Sequence, residues 1–70
     1  MIKLYSTHCP RCRIVEMKLA QKNIEFEMVD DEDTVREVGI TNHIMSAPIL
    51  QVEDEYLDFT NAIAYINGRN

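Results

Sequence analysis

Seventy residues with 46% hydrophobic and 27% charged side chains describe a single domain, 1–70, near the lower size limit for a chain that folds on its own core. No apolar run approaches the roughly 18 residues needed to cross a bilayer, so no membrane partner is expected. The net charge of −5 hides an asymmetry: residues 1–24 carry Lys3, Arg11, Arg13, Lys18 and Lys22 against Glu16 alone, and the remainder is strongly acidic. Aromatic residues are not interleaved with the basic ones, and the overall sign is wrong for nucleic acid.

Ile2 to Tyr5 alternates, with Ile2 and Leu4 on one side, and predicts a strand. The chain enters this strand at once, without the basic start and apolar stretch of a secretory leader, which predicts a cytoplasmic protein. Residues from about Cys12 to Lys22 lack glycine and proline and are rich in helix formers. The apolar residues there do not fall on one narrow face, so the predicted helix rests on propensity and length. Asn23 ends it, and Glu25 to Val29 predicts a second strand with Phe26 and Met28 on one face.

The acids Asp30 to Asp33 then stand where a helix start exposes unpaired N–H groups, and Gly39 suits the left-handed position beyond a helix end. A short helix closed by Gly39 follows from this. A calcium loop would need ligands spaced around a glycine, and that pattern is missing. Residues 40–48 are expected to form a loop into a strand at Ile49 to Val52. Glu53-Asp54 is placed like a hairpin turn, and Glu55 to Leu57 returns antiparallel. Asp58 or Thr60 then caps a last helix that Gly68 terminates. The predicted order is β-α-β-α-β-β-α.

Three uses compete for the two cysteines in STHCPRCR. A bridge closing a loop of two residues restricts the unfolded chain little, so a structural staple is the weakest. Metal binding would draw on His8, Cys9, Cys12 and His43 for zinc, or on Cys9 and Cys12 for an iron–sulfur cluster. His8 next to Cys9 makes joint tetrahedral ligation awkward, and His43 lies in a distant loop.

Redox exchange suits the position better. A CxxC between a strand and a helix sets Cys9 against free N–H groups and the positive end of the helix dipole, which favours thiolate at Cys9 over Cys12. Pro10 fits the first turn, where its missing N–H costs nothing. Arg11 and Arg13 add positive charge nearby. Ser46-Ala47-Pro48 precedes a strand, where a proline is tolerated because it need not donate to the sheet.

An opening strand, then YS-x-x-CP-x-C, a helix, and SAP leading into a strand some 36 residues later resemble the glutaredoxin branch of the thioredoxin superfamily. The likeness is greatest to short bacterial and phage glutaredoxin-like proteins, including hydrogen donors of ribonucleotide reductase. It implies an α/β thioredoxin-like fold with a four-stranded mixed sheet flanked by three helices. It also implies a thiol–disulfide oxidoreductase with no tightly bound cofactor, in which Cys9 is the nucleophile and Cys12 the resolving thiol. Pro48 becomes a cis-proline facing the pair, and Ala47 offers backbone groups to a disulfide-containing substrate, ribonucleotide reductase among them. Pro10, Arg11, Phe59 and Thr60 complete the expected substrate site.

Glutathione or thioredoxin reductase is the implied electron donor. Glutathione-using members usually carry Gly-Gly and an acid before the last helix; Leu57-Asp58-Phe59-Thr60 stands there instead, with N–H groups at Phe59 and Thr60 for an anion. Arg11 replaces the tyrosine found between the cysteines of many members.

Overall fold

The computed structural model describes residues 1–68. Seven elements follow one another: β1 (Ile2–Tyr5), α1 (Pro10–Gln21), β2 (Glu27–Val29), α2 (Glu32–Asn42), β3 (Ile49–Val52), β4 (Glu55–Leu57) and α3 (Phe59–Asn67). The sheet runs β2-β1-β3-β4. β1 lies parallel to β2, with Leu4 opposite Met28, and antiparallel to β3, with Leu4 opposite Leu50. β3 and β4 form the predicted hairpin, whose turn residue Glu53 takes φ 56° in the absence of a glycine.

Alternation along β1 divides the core. Ile2 and Leu4 face α1 and α3, packing with Val15, Leu19, Ile24, Leu50, Ala62 and Ile66. Phe26 and Met28 join this cluster from the segment leading into and through β2. Tyr5 points the other way, to Val35 of α2 and to Ile49. The sheet is therefore covered on both faces, by two helices on one side and one on the other. The untidy stripe of α1 resolves accordingly: Cys12, Val15 and Leu19 are buried, whereas Ile14 and Met17 are exposed.

Three boundaries differ from those expected. α1 begins two residues before Cys12, because Cys9 caps it and Pro10 fills its first position. β2 covers only the residues that pair with Lys3, Leu4 and Tyr5, so Glu25 and Phe26 lie outside the ladder.

The larger correction concerns Gly39, which lies inside α2 instead of ending it. His43 takes the left-handed position at φ 59°, and the helix runs on to Asn42. Gly39 answers a different need. The Ile44 amide donates to the Gly39 carbonyl at 2.9 Å as the chain folds back, and a Cβ on Gly39 would lie 2.8 Å from the Ile44 carbonyl oxygen. The missing side chain makes room for the segment that leads to Pro48.

Among the described residues, no helix is long and apolar enough to cross a membrane.

Candidate active site

The β1–α1 turn brings the two cysteines together. Cys9 is the N-cap of α1, and its sulfur accepts the Cys12 backbone N–H at 3.2 Å. This satisfies one of the donors left free at a helix start, a task that usually falls to serine or aspartate. Both cysteines are free, with their sulfurs 2.6 Å apart. Closing them to the ~2.05 Å of a disulfide needs a shift of only about half an ångström. Their surroundings differ sharply: Cys9 is half-buried, whereas Cys12 is 0% exposed.

The Ala47-Pro48 bond is cis, and the Ala47 carbonyl oxygen lies 3.8 Å from the Cys9 sulfur. Ala47 thus faces the pair, while the ring of Pro48 is fully buried and shapes the backbone from behind.

The other expected site residues gather on one flank. Arg11 lies over the Phe59 ring, its guanidinium carbon 5.3 Å from the centroid, which ties the first turn of α1 to that of α3. Arg11, Phe59 and Thr60 line a cleft of about 290 Å³ together with His43, Met45 and Ser46. Asp58, exposed at its rim, caps α3 by accepting the Asn61 N–H at 2.9 Å. Pro10 is exposed at the start of α1 and does not line this cleft. Ala47 belongs to a second groove, of about 560 Å³, bounded by Thr7 and the α2 residues Val35, Gly39 and Ile40.

The turn itself holds what motif reasoning misses. Ser6 is the buried polar residue of the core, and its oxygen accepts the His8 N–H at 3.0 Å. His8 adopts φ 61°, and its ring reaches Asp30 at 3.1 Å, away from the sulfurs. Burial pushes the Cys12 thiol up. Hydrogen bonds from Cys9, the Thr7 backbone, the Ser6 hydroxyl and the Cys9 backbone outweigh it and hold the thiol below its ordinary value. The Thr7 hydroxyl lies 3.9 Å from the same sulfur. Strand alternation was the available signal, because it carries Ser6 to the buried side that Leu4 occupies.

Compared with protein-family models and with curated proteins, the chain matches none. The expected helix-start donation does reach the Cys9 sulfur, from the Cys12 backbone N–H. His43 lines the Arg11–Phe59 cleft, and among the described residues no three His, Cys, Asp or Glu side chains are grouped as metal ligands.

Proposed function

We propose that this chain is a glutaredoxin-like thiol–disulfide oxidoreductase with a thioredoxin-like fold. One observation carries the reading: two free thiols stand 2.6 Å apart, one accessible at a helix N-cap and the other wholly enclosed. The covered mixed sheet and the cis Ala47-Pro48 bond beside Cys9 support it.

Accessibility assigns the roles. Cys9 thiolate attacks one sulfur of a substrate disulfide, forming a mixed disulfide and releasing the other sulfur as a thiolate that takes up a proton. Cys12, which no substrate reaches, then attacks the Cys9 sulfur. The Cys9–Cys12 bond forms, the bond to substrate breaks, and two electrons have passed from the dithiol to the substrate. A donor of two electrons, glutathione or thioredoxin reductase, restores the dithiol.

The substrate is a protein disulfide presented beside Ala47, of the kind a ribonucleotide reductase offers. A cytoplasmic setting suits this cycle, because reductants there keep such a dithiol open.

The test is trapping. Cys12→Ser should accumulate a mixed disulfide with a model protein disulfide, and Cys9→Ser should not; equal trapping by both variants refutes the roles. Thiol titration under anaerobic conditions, with metal analysis of the same sample, tests the class. Stoichiometric, tightly held zinc or iron in place of two reversibly oxidised thiols would sink it in favour of the metal-binding alternative.

A further inference from the structure

Helix α1 carries more apolar surface than its packing uses. Cys12, Val15 and Leu19 turn inward and form its buried face. On the opposite face Pro10, Ile14 and Met17 recur at the spacing of one helical stripe, and all three are exposed, Met17 by 54%. The stripe starts at the residue after Cys9 and runs about 10 Å along the helix. Single exposed apolar residues are ordinary on a protein surface. A row of them leading away from the accessible sulfur of the pair calls for a covering surface.

Charge sets what can lie on this row. At about 100° per residue, Arg13 falls on one flank of it and Lys18 on the other. Among the described residues neither takes part in an ion pair, so neither charge is neutralised within the chain. Five of the chain's 7 basic residues lie within residues 1–24, whereas eleven of its 12 acids lie beyond them. An acidic surface is therefore repelled by most of this molecule and attracted along α1.

Resting on the exchange reading above, we propose that the outer face of α1 docks an acidic protein substrate. The Pro10–Ile14–Met17 row receives an apolar patch beside the substrate's disulfide, and Arg13 and Lys18 receive carboxylates at the rim of that patch. This contact turns the disulfide toward Cys9. Arg11 is held over Phe59 on the cleft side, which leaves Arg13 and Lys18 as the charges of the rim. A small disulfide at Cys9 does not extend to Met17, so this face selects among proteins.

Two synthetic peptides of one length test the proposal. Each has an intrapeptide disulfide beside leucines, with glutamates around it in one peptide and lysines in the other. At low ionic strength the protein should reduce the glutamate peptide about ten-fold faster, and added salt should bring the ratio toward one. The ratio cancels any change in Cys9 itself. Arg13→Glu combined with Lys18→Glu should abolish or invert the preference. Ile14→Ser combined with Met17→Ser, at two exposed positions, should slow reduction of both peptides about five-fold. A redox-inert glutamate peptide, with serines in place of its cysteines, should shift the amide signals of α1 in the isotope-labelled protein.

Equal rates for the two peptides at low salt, or amide shifts confined to residues outside α1, would overturn the docking proposal and leave the exchange reading standing. A wild-type dimer in light scattering that Met17→Ser dissociates would assign the face to a second copy and overturn it too. Sedimentation with phosphatidylserine vesicles, without amide shifts from the peptide, would assign it to a membrane surface instead. If neither peptide is reduced and no mixed disulfide forms, the exchange reading itself fails, and the amide shifts still decide whether α1 binds an acidic partner.

Discussion

The Arg11 guanidinium stands over the ring of Phe59, 5.3 Å from its centroid, joining two helix starts far apart in the sequence. Phe59 also packs against the main core, so Arg11 rests on a platform that the core holds in place. Arg11, between the cysteines, thereby lines the cleft that Thr60 and Ser46 share.

This pairing predicts energetic coupling. A double-mutant cycle of Arg11→Ala and Phe59→Leu, read by urea unfolding, should give an interaction of about 0.5–1 kcal/mol, as expected for a partly exposed cation over a ring. Additive losses would mean that the two residues only share a neighbourhood.

Asp31 predicts a pH dependence. Its carboxylate accepts the Thr34 hydroxyl at 2.8 Å and the Thr34 amide at 3.0 Å, and these two bonds hold it below the usual carboxylate value. A group whose folded value is depressed contributes stability above its unfolded value of about 3.9, and that contribution is lost as pH falls through the folded value. Asp31→Asn keeps a capping oxygen but cannot titrate. The wild-type protein should have the higher urea midpoint at neutral pH, and the gap should close below about pH 4. A gap that persists unchanged into acid would refute the assignment.

Gly39 predicts a penalty where helix propensity predicts a gain. Alanine in a helix interior is ordinarily favoured over glycine by about 1 kcal/mol. Here its Cβ would press on a backbone oxygen at 2.8 Å, which no side-chain rotation relieves. Overpacking of this kind costs about 1–3 kcal/mol, so Gly39→Ala should be net destabilising by up to about 2 kcal/mol in chemical denaturation. A stabilised variant would show that the turn at Ile44 yields easily.

Much of this molecule is local chemistry, and local chemistry is legible in a sequence. β1, β3, β4 and the hairpin between them stand where alternation and turn residues place them. Asp58 caps α3, and Gly68 follows its last residue, as expected. The CxxC lies at a strand-to-helix junction, as expected, because Pro10 suits a first helical position and helix formers follow it.

What only the tertiary structure decided depends on close approach between distant segments. Gly39 reads from the sequence as a helix terminator, and packing makes it the point where residues 43–48 fold back over α2. Phe59 reads as part of an anion site, and its ring becomes the support of Arg11. Ser6 reads only as a small polar residue after a strand. Its complete burial, like that of Cys12, comes from packing that removes water and leaves the protein to supply its hydrogen bonds, such as the one from the His8 N–H.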